Sequence, residues 1–174
     1  AFLGVSVFNN NYDTGALVNT YGTVTLGGIT ANSNGLGSGT GYGVFIDNSG
    51  GTLAKTVILN GVNTFSGNHS GGLRITSIGS ITVGNLVASN STNGFGAHLR
   101  NDFGASIGTI ALTGISRFEG NSTNGLEAFS FAAITLSNIT ANGNGSVSGY
   151  GVYIQNHTAV ALQNVTLSGI NTFS

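Results

Sequence analysis

The sequence predicts an all-β protein: a single-stranded parallel β-helix, or β-solenoid, of about six to seven rungs of 24–33 residues. Three observations predict it. A nine-residue pattern recurs six times, a Gly or Asn stands at one fixed point of every copy, and a second segment with apolar residues at alternate positions follows the copies.

The recurring segments are VTLGGITAN (24–32), VILNGVNTF (57–65), ITVGNLVAS (81–89), IALTGISRF (110–118), ITLSNITAN (134–142) and VTLSGINTF (165–173). Each opens on an apolar-x-apolar triplet, the period-two signature of a strand. Two turn residues follow, and the second of them is Gly28, Gly61, Asn85, Gly114, Asn138 or Gly169. Gly and Asn enter the left-handed backbone region at least cost, so a sharp bend is expected at all six. The starts are 33, 24, 29, 24 and 31 residues apart, which leaves a fixed strand part and loops of variable length.

After the bend come GVFI (43–46), GLRI (72–75), GAHL (96–99), GLEA (125–128) and GVYI (151–154). Alternation sends Val44/Ile46, Leu73/Ile75, Ala97/Leu99, Leu126/Ala128 and Val152/Ile154 inward. Phe45, Arg74, His98, Glu127 and Tyr153 then face outward. Equivalent residues recur in one order and nothing reverses the pattern, so successive copies stack in parallel. The predicted core columns run from Val24/Leu26/Ile29 through Val165/Leu167/Ile170, with loops 33–41, 47–56, 100–108 and 155–163 outside.

A longer rhythm overlies the first. Ala31, Ala88 and Ala141 follow the bend in the rungs starting at 24, 81 and 134, whereas Phe65, Phe118 and Phe173 follow it in those starting at 57, 110 and 165. Phe8, in VSVF, fits an earlier partial rung of the Phe type. Alternating small and large residues in one column fills it close to native density. Asn11, Asn68 and Asn121 each stand three positions after a Phe, a spacing that predicts a structural ladder of stacked amides at the next corner.

Residues 1–174 form one domain on this reading. Charged residues are 5% of the chain, against about 25% in ordinary globular proteins. Hydrophobic residues are 40%, so the composition is not that of a disordered chain. A net charge of -1 with four Lys+Arg gives no electrostatic basis for nucleic-acid binding. No apolar run has the length of a membrane span. Without Cys there are neither disulfides nor thiolate metal sites. The start, AFLGVSVFNN, has no signal-peptide pattern, which fits a mature or excised segment whose export signal lies elsewhere. The uncharged Asn/Thr/Ser/Gly surface suits an extracellular or cell-surface protein.

Through its ITLxxITANxN and VTLxGINTFSGN rungs, nearly the whole chain resembles the right-handed parallel β-helix repeats of large bacterial surface proteins. Filamentous-haemagglutinin-like adhesins and autotransporter passenger domains are the types it is similar to. The resemblance implies secreted or surface placement, adhesion or filament building, and no cofactor. Such repeats have no fixed site motif, so no functional residue is carried over.

Polysaccharide lyases and hydrolases also use parallel β-helices, and their chemistry needs clustered carboxylates. The five acidic residues, Asp13, Asp47, Asp102, Glu119 and Glu127, are scattered over different rungs. A glycosidase needs two carboxylates within roughly 5–10 Å, and the nearest pair in sequence, Glu119 and Glu127, lies on either side of a corner. No catalytic, cofactor or metal residue is therefore assigned. The candidate surface-binding column is Phe45, Arg74, His98, Glu127 and Tyr153, with a charged ladder as its ordinary structural role and a glycan contact as its functional one. GYG at 41–43 and 149–151 lacks the following helix of a phosphate loop. Asn-x-Ser/Thr at Asn68, Asn90, Asn121, Asn138, Asn144, Asn156 and Asn164 is expected by chance in so Asn-rich a chain. An ice-binding array is opposed by the triplet's middle position, where Thr25, Ile58, Thr82, Ala111, Thr135 and Thr166 break the run of Thr.

The expected function is a non-catalytic structural repeat of an extracellular filament or giant adhesin, with a glycan- or surface-binding domain as the alternative. The chain starts inside one Phe-type rung (GVSVF, 4–8) and stops inside another (GINTFS, 169–174), with no Pro-bearing, charged or helical cover on either edge. The partners expected are copies of itself stacked head to tail, flanking repeats of the same chain, and surface glycans.

Overall fold

A computed structural model describes residues 1, 4–37, 39–104, 106–146, 148–156 and 163–174. These residues form a parallel β-solenoid of strands and turns, with no helix among them. One sheet holds the recurring segments: β1 (Ser6–Val7), β3 (Val24–Gly27), β4 (Ile29–Thr30), β6 (Val57–Ser66), β8 (Ile81–Ser89), β10 (Ile110–Leu112), β11 (Ser116–Glu119), β13 (Ile134–Ser137), β14 (Ile139–Asn142), β16 (Val165–Ser168) and β17 (Thr172–Phe173). The other stacks β2 (Ala16–Asn19), β5 (Tyr42–Asn48), β7 (Gly71–Ser77), β9 (Phe95–Asn101), β12 (Leu126–Ser130) and β15 (Val152–Asn156) in chain order. A rung passes from the first sheet round a corner to the second and returns, as β6 leads to β7 and then to β8 upon β6.

Between the sheets the predicted columns stack in register. Val57, Ile81, Ile110 and Ile134 form one, Leu59, Val83, Leu112 and Leu136 the next, and all are fully buried. Leu73, Ala97 and Leu126, with Ile75, Leu99 and Ala128, supply the opposite wall. Burial of apolar surface here is the main favourable contribution to folding. The Phe–Ala alternation is present as expected: Ala88 lies between Phe65 and Phe118, and Phe118 between Ala88 and Ala141.

The rungs crowd where they enter the second sheet. A Cβ on Gly72 would sit 2.6 Å from the Gly96 carbonyl oxygen, and one on Gly96 would sit 2.5 Å from that of Gly125. Gly15, Gly43 and Gly125 are under the same constraint. These glycines serve close approach of backbone to backbone rather than a left-handed turn.

Three expectations are corrected. First, Phe-type rungs carry one residue more than Ala-type rungs. The register between β6 and β8 shifts between Leu59 and Val62, so that Asn63 pairs with Leu86. The added residue exchanges inside for outside. Asn63 and Ser116 are buried, while Val62 and Ile115 are each 61% exposed and Ile170, assigned above to the core, is 82% exposed. Second, Asn85 has no positive φ, unlike Gly28, Gly61, Gly114, Asn138 and Gly169; β8 runs straight through it. Third, the loops begin later than expected. Asn34, Asn48 and Asn101 lie in the ranges 33–41, 47–56 and 100–108 yet are buried, because strand pairing or the corner ladder continues through them. In the range 155–163, Gln155 and Asn156 belong to β15, and 157–162 lie outside the described residues.

Leu136 stacks between Leu112 and Leu167 and is fully buried, whereas its neighbour Thr135 is exposed. Leu136→Asp should cost on the order of 4 kcal/mol by burying an unpaired charge. Thr135→Asp should leave the melting temperature within a few degrees. Thermal unfolding by circular dichroism checks both, and equal effects would contradict the assigned strand faces.

Candidate functional site

Period-two alternation along the second sheet places one outward residue per rung in a common column. Leu17, Phe45, Arg74, His98, Glu127 and Tyr153 are paired in succession from β2 to β15. The five residues singled out in the sequence thus share one surface strip. Phe45, Arg74, His98, Glu127 and Tyr153 are half-buried rather than open.

His98 Nδ1–H donates to Glu127 Oε2 at 2.5 Å, and Asn124 Nδ2 donates to the other carboxylate oxygen at 2.6 Å. Arg74 Nη1 donates to the Tyr42 hydroxyl at 3.1 Å, and its guanidinium lies 4.9 Å from the centre of the Phe45 ring, a cation–π distance. Burial works to raise the pKa of the Glu127 carboxyl. The hydrogen bonds from His98 and Asn124, with the charges of His98 and Arg74, outweigh burial and hold it below the ordinary 4.5.

Sequence reasoning missed the aromatic residues that bind this strip together. Tyr42 stacks on Phe95 with centroids 5.9 Å apart, Phe95 meets His98 at 5.3 Å, and His98 meets Phe129 at 5.3 Å. Phe129 continues to Tyr153, which stacks on Tyr150 at 5.4 Å. A signal was present: Tyr42, Phe95 and Tyr150 each stand directly before the strand glycine, in GYG, GFG and GYG, one in every second rung. Between the first two lies Gly71, where a Cβ would come within 2.7 Å of the Phe95 ring. Chemically, both oxygens of Glu127 are engaged within the strip, while Arg74 Nε and His98 Nε2 are buried with no hydrogen-bond partner among the described residues.

At the corner where the rungs enter the second sheet, the predicted Asn ladder is present and longer than expected. Asn11 Nδ2 donates to Asn34 Oδ1 at 2.8 Å, Asn34 Nδ2 to Asn68 Oδ1 at 2.9 Å, and Asn121 Nδ2 to Asn144 Oδ1 at 2.9 Å. Each inner amide also reaches a carbonyl of the preceding rung, as Asn68 Nδ2 does at Ala31 and Asn121 Nδ2 at Ala88. Asn34 and Asn144 stand three residues after Ala31 and Ala141, the same spacing that the Phe-type rungs use. Ser91 occupies the equivalent place between Asn68 and Asn121; it is buried, and its hydroxyl has no partner among the described residues.

The turn positions hold the corner between the two halves of the first sheet. Asn85 Oδ1 accepts from Ile115 N–H at 3.0 Å and Asn138 Oδ1 from Ile170 N–H at 3.2 Å. Asn85 thus acts through its side chain, although its backbone does not turn. Among the described residues no group of three or more His, Cys, Asp and Glu is placed to hold a metal ion, and no helix is long and apolar enough to cross a membrane. Comparison with protein-family models, with curated proteins and with solved structures found no match for this chain.

Two outcomes follow from this geometry. Ser91→Asn should join the two halves of the ladder and stabilise the fold by about 1 kcal/mol, read as a higher urea midpoint; a lower midpoint would contradict the equivalence of the six corner positions. A carboxyl held below its ordinary value stabilises the fold above that value, and the contribution is lost as pH falls through the folded pKa. Glu127→Gln should therefore be less stable than the parent at neutral pH, and the gap should close on acidification below 4.5. Urea unfolding across that range checks it.

Proposed function

We propose that this chain is a non-catalytic structural segment of an extracellular β-solenoid, a filament or a large surface adhesin, which lengthens as further parallel rungs stack on its ends. The observation that carries the reading is the uniform in-register stack, in which Val57, Ile81, Ile110 and Ile134, and Leu59, Val83, Leu112 and Leu136, follow one another in parallel from rung to rung. Such a stack is one that another strand can extend. The added rung has the same chemistry whether flanking repeats of the same chain or a second copy supplies it. The scarcity of charge and the resemblance to surface-protein repeats support extracellular placement.

The alternative, a glycan- or surface-binding domain, would use the strip of Phe45, Arg74, His98, Glu127 and Tyr153. The structural reading is preferred because both carboxylate oxygens of Glu127 are engaged within the strip, and Tyr42 and Phe95, like Tyr150 and Tyr153, spend a ring face on each other.

Electron microscopy and fibre diffraction of the purified chain test the proposal. Expected are unbranched fibres with an axial spacing of about 4.8 Å, abolished by Leu167→Asp. A monomer at every concentration that binds a glycan through the Arg74–Glu127 strip would favour the alternative.

A further inference from the structure

The dipeptide Asn-Gly occurs six times, at Asn34, Asn60, Asn93, Asn124, Asn142 and Asn144. Asparagine is a thermolabile residue, and a following glycine makes it most so. The glycine nitrogen, unshielded by a side chain, attacks the Asn side-chain carbonyl carbon. A new C–N bond closes a five-membered imide, the amide nitrogen leaves as ammonia, and water then opens the ring to aspartate or isoaspartate. The reaction needs a side chain free to swing onto its own backbone and a glycine peptide free to meet it.

Five of the six lack that freedom. Asn34 and Asn144 are ladder amides. Their Oδ1 atoms accept from Asn11 and Asn121, and their Nδ2 atoms donate to the carbonyls of Phe8 and Phe118. The N–H groups of Gly35 and Gly145 are themselves bonded, to the Asn11 and Asn121 carbonyls. Asn124 donates to Glu127 and accepts from Tyr150 N–H, while Gly125 N–H donates to the Tyr150 carbonyl. Asn142 is half-buried, and Gly143 N–H donates to the Ser174 carbonyl at 2.9 Å. Asn93 is exposed, but Gly94 is buried where a Cβ would collide with the Ser70 carbonyl. The Asn93 N–H and the Gly94 carbonyl are also each bonded to a neighbouring rung, at His69 and Thr123.

Asn60 differs on each count. It and Gly61 are both exposed, and its side chain has no hydrogen-bond partner among the described residues. The stack explains why. Asn60 pairs with Gly27 on one side, and on the other Gly84 follows Val83, the partner of Leu59. Neither neighbour has a side chain to hold the amide, in contrast to the corner ladder. The register shift of the Phe-type rung falls at this point, so Asn60 and Gly61 have no register partner in β8. With Gly27 and Gly28 they line an open depression of about 630 Å³, through which water reaches the site.

We propose that Asn60 is a self-modification site of the folded solenoid, converted to aspartate and isoaspartate by attack of the Gly61 nitrogen, while the fold protects the other five Asn-Gly pairs. Arg117 and Glu119 are the only charged residues in the strands of this sheet, so conversion places a carboxylate on a nearly uncharged face. Isoaspartate also adds a backbone carbon where the rung already carries its additional residue. The proposal is independent of filament formation, since it concerns the folded chain whether or not it assembles.

The test is ageing of the purified protein in mildly alkaline buffer, with and without urea. Conversion is read by peptide mass spectrometry and by methyl labelling with an isoaspartyl methyltransferase. Without urea, Asn60 should convert at least about tenfold faster than any of the other five, because a locked site reacts only from a locally opened state. In urea the six rates should converge. Asn60→Ser, shown to be folded by circular dichroism, should lose the labelling seen without urea. A rate at Asn60 no greater than that at Asn34, Asn93 or Asn144 in the folded protein overturns the proposal. So does an unreactive Asn60 in the folded protein when all six sites convert in urea.

Discussion

Parallel stacking in register puts each side chain about 4.8 Å from its own counterpart in the next rung, so the strands admit only residues that tolerate a like neighbour. Aliphatic side chains do, through dispersion and burial. Asn does as well, because its amide is donor and acceptor at once and each copy can serve the next, as Asn11, Asn34 and Asn68 show. Like charges do not. The low charge content follows from that constraint, and the charged residues that remain are arranged around it. Arg74 is followed in its column by His98 and then by the carboxylate of Glu127, while Arg117 stands between Val87 and Thr140.

Large and small side chains share a column by alternating, each ring taking space that its small neighbours leave, and this alternation pervades the molecule. Phe65 and Phe118 are separated by Ala88 in the core. Asn48, Ser77, Asn101, Ser130 and Asn156 alternate at the end of the second sheet, each donating to a corner carbonyl. Tyr42, Phe95 and Tyr150 appear outside in every second rung. The added residue before Asn63 and Ser116 belongs to the same rhythm. The repeating unit is the pair of rungs, and the exposed Val62 and Ile115 are its outward expression.

The fold was legible because the strand alternation and five of the six turn positions are written in residue type, and parallel order follows from the absence of any reversal. The added residue was not legible. VILNGVNTF and VTLGGITAN align without a gap over nine letters, and Val62 is as apolar as Ile29. Only the inter-rung pairing of Asn63 with Leu86 shows that Val62 faces out. Asn85 misled for a related reason, since Asn suits both a left-handed turn and a side-chain acceptor, and here its side chain caps the next rung at Ile115. The aromatic strip was half visible: the column Phe45 to Tyr153 follows from alternation, but the leaning of Phe95 over Gly71 towards Tyr42 depends on space that a linear pattern does not display.

The most direct measurement of in-register alternation is a set of ¹³C-edited NOEs in protein labelled at Phe, Ala and Ile. The Phe118 ring should show strong contacts to the methyls of both Ala88 and Ala141, and the Ile115 methyls should show none to the core. Contacts from Ile115 to Leu86 or Ile139, with Phe118 lacking either alanine, would mean that the Phe-type rungs are out by one residue and that the stacking described for this protein is wrong.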